Sequence, residues 1–170
     1  MLTGRAVFTE AYAVIPKGVM RDIVTSALPF WDKTRTWVIA RPLSGFSETF
    51  SQYIVEVSPG GGSTQPEPDP EAEGVLFVVS GDIALTIAGA EHRLGKGGYA
   101  FLPPACKWTL RNDSQAPATF HWIRKAYEAV PGIPVPEAFV TNEATIAPAP
   151  MPETQGRWAT TRFVDPLDVR

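Results

Sequence analysis

Val75-Leu76-Phe77-Val78-Val79-Ser80 is followed by Gly81-Asp82 and then by Ile83-Ala84-Leu85-Thr86-Ile87. Two short apolar runs, rich in β-branched residues, flank a pair whose glycine accepts the positive φ of a tight turn. The stretch therefore reads as two strands joined as a β-hairpin. The same pattern continues on both sides. Upstream, residues 34–40 (TRTWVIA) and 48–57 (ETFSQYIVEV) read as strands, and a shorter extended piece covers 9–14 (TEAYAV), set apart by a Gly18 turn and by Pro29. Downstream come 91–94, a glycine turn at Gly95, Gly97 and Gly98, and further strands at 99–102, 107–112 and 119–125. Between 57 and 75 the run SPGGGSTQPEPDPEAEG reads as an irregular loop, because its glycines, prolines and acids favour turns. Strands arriving roughly every 8 to 12 residues, with Gly and Pro between them, indicate an antiparallel sandwich or barrel.

Composition sets the outer limits. The chain has 170 residues, 44% hydrophobic and 19% charged, which suits one packed domain with an arm attached. Its 17 prolines and 14 glycines break it into pieces too short for long helices. A net charge of -3 and the lack of any basic run give no footprint for nucleic acid or an anionic membrane. The opening MLTGRAVFTEAYAVIPKG has no long apolar stretch, so it reads as neither a secretory signal nor a membrane span, and the expected location is the cytoplasm. The single cysteine, Cys106, excludes an internal disulfide and any CxxC motif. From Pro131 onward, PGIPVPEAF and APAPMPETQG are proline-rich and stiff. The expected division is a barrel over 1–130 and a connector arm over 131–170.

The glycines and prolines resemble the frame of the cupins, double-stranded β-helix (jelly-roll) barrels whose two motifs carry inward-pointing metal ligands. Gly81 stands where the first motif closes, and Gly97, Pro103 and Asn112 keep the spacing of the second. The ligand positions differ. Glu67-Pro68-Asp69 stands where the first motif has its paired histidines, Glu73 lies one residue from that motif's glutamate, and Trp108 takes the histidine position of the second. The chain has only His92 and His121, both outside the motif positions, so a histidine-rich metal site cannot be built from it.

Several residues invite a sharper reading, and each has a plainer one. Glu67, Asp69 and Glu73 could form an oxygen-only site for Ca²⁺ or Mn²⁺, but three carboxylates without a neutral partner repel when empty. A solvated acidic loop is the plainer account. Glu73 alone, just before the apolar run, could sit at a barrel mouth with a raised pKa; a water-exposed strand-end carboxylate explains it as well. Trp108 reads as an aromatic filling the space of a metal. His121 alternates with Phe120 and Trp122 and so faces the opposite side of its strand. His92 reads as exposed, and Cys106 has no neighbouring histidine to activate it as a nucleophile.

Longer phrases carry a more specific resemblance. GRAVFTEAYAVIPKGVMRDIVTS, TWVIARPLSGFSETFSQYIVEVSPGGG, EGVLFVVSG, GGYAFLPP, WTLRND, FHWIRKAYEAVPG and RWATTRFVDPLDVR are similar, in this order, to the (S)-ureidoglycine aminohydrolases of purine and allantoin catabolism. The resemblance implies a bicupin that hydrolyses ureidoglycine to ureidoglycolate and ammonia with Mn²⁺ held in its second cupin. This chain resembles the first cupin and the interdomain arm. The implied function is therefore that of a metal-free structural half, without catalytic residues or cofactor of its own and inactive alone. Its expected partners are a second cupin domain and further copies in a homo-oligomer. Two other functions stay open. A free-standing barrel could hold a small polar ligand between Glu73, Gln52 and Trp108. A hydrolase with acidic ligands would need metal at Glu67, Asp69 and Glu73.

Overall fold

In the computed structural model, residues 6–9, 12–16, 25–42, 49–151, 154–165 and 167–168 are described. The Gly18 turn and part of the 9–14 segment lie outside them. Among the described residues the regular structure is strand, apart from one 3-10 turn at Glu143–Thr145. The order is β1 (Val7–Phe8), β2 (Ala13–Val14), β3 (Trp31–Ala40), β4 (Phe50–Ser63), β5 (Ala72–Ser80), β6 (Ile83–Ile87), β7 (Ala90–Leu94), β8 (Gly98–Leu102), β9 (Trp108–Arg111), β10 (Ala118–Ala126), β11 (Phe139–Asn142), β12 (Ala149–Pro150) and β13 (Ala159–Thr160). β3 to β11 form one nine-stranded antiparallel sheet, ordered β11-β8-β5-β10-β4-β9-β6-β7 with β3 also on β4. It curls into a nearly closed barrel. No described helix is long and apolar enough to cross a membrane.

The expected hairpin between 75–80 and 83–87 is not formed. Both strands exist, but β5 pairs with β10 and β8, whereas β6 pairs with β7 and β9. Gly81, at φ 74, turns the chain from one side of the barrel to the other, and a Cβ there would lie 2.6 Å from the Ala118 Cα. The tight hairpin comes one step later. Ile87 opposes Ala90 across Ala88 and Gly89, at φ 47 and 87, which are the two left-handed positions of a type I′ turn.

The glycine-rich run after 57 is also more ordered than composition suggests. β4 continues through Gly60, Gly61 and Gly62 to Ser63, where it meets Leu110 and Arg111 of β9. The glycines form a bulge in the pairing with β3, which skips from Val57 opposite Thr34 to Gly62 opposite Asp32, and they bring the end of β4 onto β9 as well. Beyond Pro131 the chain returns to the barrel, since β11 pairs with β8 and the backbone N–H of Glu143 donates to Gly97 O at 2.9 Å. Phe163 then stacks on Tyr99, with ring centroids 4.3 Å apart and planes within 4°.

Period-two alternation sorts the side chains. Val55 and Val57 on β4, Leu76 and Val78 on β5, Leu85 on β6, Leu110 on β9 and Phe120 on β10 are fully enclosed and form the core. Asn112, at the motif asparagine position, is as deeply buried. Its amide nitrogen donates to Val57 O and Ala116 O, both at 2.8 Å, and its oxygen accepts from the Ser114 N–H and hydroxyl.

Candidate functional site at the barrel mouth

β10 carries the row Ala118, Phe120, Trp122 and Arg124 on its inner face, the first three buried and Arg124 at the end. Opposite Trp122 on β4 lies Tyr53, with ring centroids 5.6 Å apart. Trp31, from the start of β3, packs against Trp122 at 5.8 Å, and Trp108, from the start of β9, meets it edge-on at 6.0 Å. One end of the barrel is thus filled by four aromatic rings, and Arg124 stands over Trp122 with its guanidinium 5.9 Å from the ring centre.

The loop between β4 and β5 brings a counter-charge to this cation. Glu67 accepts from Arg124 Nε and, at 2.8 Å, from Nη2, which is the two-pronged carboxylate–guanidinium pairing. Asp69 lies 3.6 Å from Nη2. Burial works against the charge of Arg124, but the hydrogen bond and charge of Glu67, with Tyr53 beside it, more than offset this, and its pKa rises above the ordinary arginine value. The loop is tied at both ends: Pro66 O accepts from Trp31 Nε1 at 3.3 Å, and Pro70 O accepts from the Ala105 N–H at 2.8 Å.

Two cavities meet at Glu67, Pro68 and Trp122. One, of about 260 Å³, is bordered by Asp69, Cys106, Lys107, Trp108 and Trp122. The other, of about 160 Å³, is bordered by Leu28, Trp31, Tyr53 and Trp122. Glu67 borders both. Cys106 is half-buried in the first, and burial pushes its thiol pKa up, away from the reactive thiolate.

Glu73, Gln52 and Trp108 do not converge here. Strand parity separates them: on β5 the neighbours Ala72 and Gly74 are buried, so Glu73 projects outward, where it meets Lys125 at 3.4 Å. It lines the larger of these cavities together with Trp108, and an outer cavity of about 440 Å³ together with Gln52. Gln52 is also on the outer face, with its Nε2 3.4 Å from His121 Nδ1. Only Trp108 points inward. Glu67, Asp69 and Glu73 likewise fail to form one cluster, because Glu67 and Asp69 serve Arg124 while Glu73 serves Lys125. Among the described residues no three of His, Cys, Asp and Glu are arranged to hold a metal ion. The inner donor set, two carboxylates engaged with Arg124 among aromatic rings and without a neutral ligand, does not fit Mn²⁺.

Sequence reasoning missed Arg124, Tyr53, Trp31 and Trp122. The parity that sets His121 outward also sets Arg124 inward, two positions beyond Trp122, and a lone cation on an apolar strand face was the available sign. In the second motif frame, position 105 is alanine where the frame has glycine. Ala105 nevertheless adopts the left-handed φ of 57.

Residues 53–124 match the model of the cupin domain family. The barrel has the cupin fold. The crystal structure of a Pseudomonas aeruginosa protein described as glyoxylate-induced is 66% identical, with a TM-score of 0.88, over 96% of this chain and 61% of that one. The E. coli protein Ylba superposes with a TM-score of 0.76 at 24% identity, over 86% of this chain and 59% of that one, a likeness of fold. The (S)-ureidoglycine aminohydrolase of Escherichia coli K12 is 26% identical over 134 residues, 78% of this chain and 49% of the relative. The chain thus spans about half the length of this curated relative.

Proposed function

We propose that this chain is the first, metal-free cupin unit of a protein of the (S)-ureidoglycine aminohydrolase type, and that its role is to build and hold the assembly. The observation that carries the reading is the barrel mouth. Where a metal-holding cupin needs neutral nitrogen ligands, Trp31, Tyr53, Trp108 and Trp122 fill the space and Arg124 supplies the cation. The similarity to the aminohydrolase over half of that protein's length supports placing the chemistry in a second unit. There, Mn²⁺ would act as a Lewis acid on the substrate during loss of ammonia. This unit's own residues offer outward apolar side chains on the sheet, Val79 and Ile123 among them, for contact with a partner.

The test is to incubate the purified chain with Mn²⁺, desalt it, and assay metal content and ammonia release from (S)-ureidoglycine. The expected result is less than about a tenth of an equivalent of metal and no ammonia above the uncatalysed rate. One retained equivalent together with catalysed ammonia release would overturn the reading.

A further inference from the structure

We propose that Arg124 is the centre of a carboxylate-binding site in the barrel mouth and that Glu67 occupies it as a built-in ligand. This goes beyond the assembly role and does not depend on it. A guanidinium fork is matched to a carboxylate in two-pronged geometry, and Glu67 makes that pairing. The pairing differs in kind from the other ion pair at this end of the barrel. Glu73 and Lys125 are direct cross-strand neighbours on the outer face, held together by the register of β5 and β10. Glu67 instead reaches the inner face from a loop, and its carboxylate is delivered between two walls of aromatic rings.

The space around the pair has the shape of a site. The cavities of about 260 and 160 Å³ meet at Glu67, Pro68 and Trp122, and Arg124 borders the smaller, so withdrawal of Glu67 opens space beside the Arg124 fork. Trp31, Tyr53, Trp108 and Trp122 would then enclose a small apolar or planar body attached to the incoming carboxylate. Within the loop, Glu67 Oε1 also accepts from the Asp69 N–H at 3.0 Å, which sets the carboxylate in place. Because the loop is anchored at Pro66 and again from Asp69 to Pro70, Glu67 and Pro68 are the part that has to move. The ligand class is a small monocarboxylate. A tethered carboxylate competes at high effective concentration, so a free one binds weakly until Glu67 is removed.

The experiment uses the full chain, its Glu67→Ala variant and the double variant Glu67→Ala/Arg124→Leu. Each is titrated with sodium acetate against sodium chloride of equal ionic strength, read by tryptophan fluorescence and thermal melting. The expected result is that Glu67→Ala binds acetate at least about tenfold more tightly than the unaltered chain, and that the double variant loses the response. A folded Glu67→Ala chain with no acetate response beyond that of chloride would overturn the proposal. So would a response that survives loss of Arg124. If Glu67→Ala does not fold, Glu67→Gln, which keeps the side-chain volume, takes its place with the same expected and contrary results. Failure of both to fold would also overturn it, by making Glu67 a clamp the barrel cannot lose.

Discussion

Gly62 passes so close to Leu110 that a Cβ built on it would stand 2.0 Å from the Leu110 carbonyl oxygen and 2.9 Å from the Arg111 Cα. Its φ of 139 is also one that side-chain-bearing residues seldom adopt. This is the crossing of β4 and β9, where the bent strand joins the two halves of the barrel. Gly62→Ala is therefore expected to cost about 3 kcal/mol or more in urea unfolding, from backbone displacement and dihedral strain together. A loss below about 1 kcal/mol would mean that β9 yields to the methyl group and that the crossing is not tightly held.

Asn112 supplies the second tie at that place. Its buried amide group serves the carbonyls of Val57 and Ala116 and orders the Ser114 turn. Asn112→Ala leaves two buried carbonyls without their donor and is expected to cost about 2 to 4 kcal/mol. Asn112→Asp keeps the shape but turns a carboxylate toward those carbonyls. Its stability should therefore recover as the pH falls and the carboxyl gains a proton. Equal stability of Asn112→Asp at neutral and acidic pH in chemical denaturation, after correction for the unaltered chain, would contradict this account.

How far the sequence was legible follows from the range of each interaction. The apolar, β-branched runs at 75–80 and 83–87 located β5 and β6, because strand propensity is a local property of the sequence. It could not say which strands pair. The choice between a hairpin and a crossing at Gly81 depends on Ala118, far along the chain. Glycines at 60 to 62 argued for a loop because their use here, a close crossing with β9, is visible only in three dimensions. The missing histidines and the aromatic filling at Trp108 were readable by counting and spacing. The Glu67–Arg124 pair was not, since it joins a loop acid to a strand cation 57 positions away.

Burial of His121 is expected to make the fold sensitive to acid. Half-buried on the outer face among Ile54, Phe77 and Gln52, it has a pKa lowered from 6.5 by burial. The unfolded chain then takes up the proton more readily than the folded one. The corresponding stability is present above pH 6.5 and is lost as the pH falls below 6.5 and through the lower folded value. His121→Phe removes the titration. Melting temperatures of the two proteins, compared from about pH 7.5 to about pH 5, should diverge on acidification in favour of the variant. Parallel curves would show that His121 carries no such linkage.

Trp108 tests whether the barrel could be returned to metal binding by one change at the motif position. The imidazole of Trp108→His would enter a space bounded by Trp122, Cys106 and the rim of the larger cavity. Two further ligands would be needed within reach, and both nearby inner carboxylates, Glu67 and Asp69, are engaged with Arg124. Freeing them would leave the guanidinium without its counter-charge in a half-buried site, which is strongly unfavourable. The expected outcome is a loss of about 3 kcal/mol from the shrunken aromatic core and no manganese retained after desalting. One retained equivalent in Trp108→His would show that the acidic loop rearranges around a metal once a single neutral nitrogen is present, and the Glu67–Arg124 pair would then be far weaker than its two-pronged geometry implies.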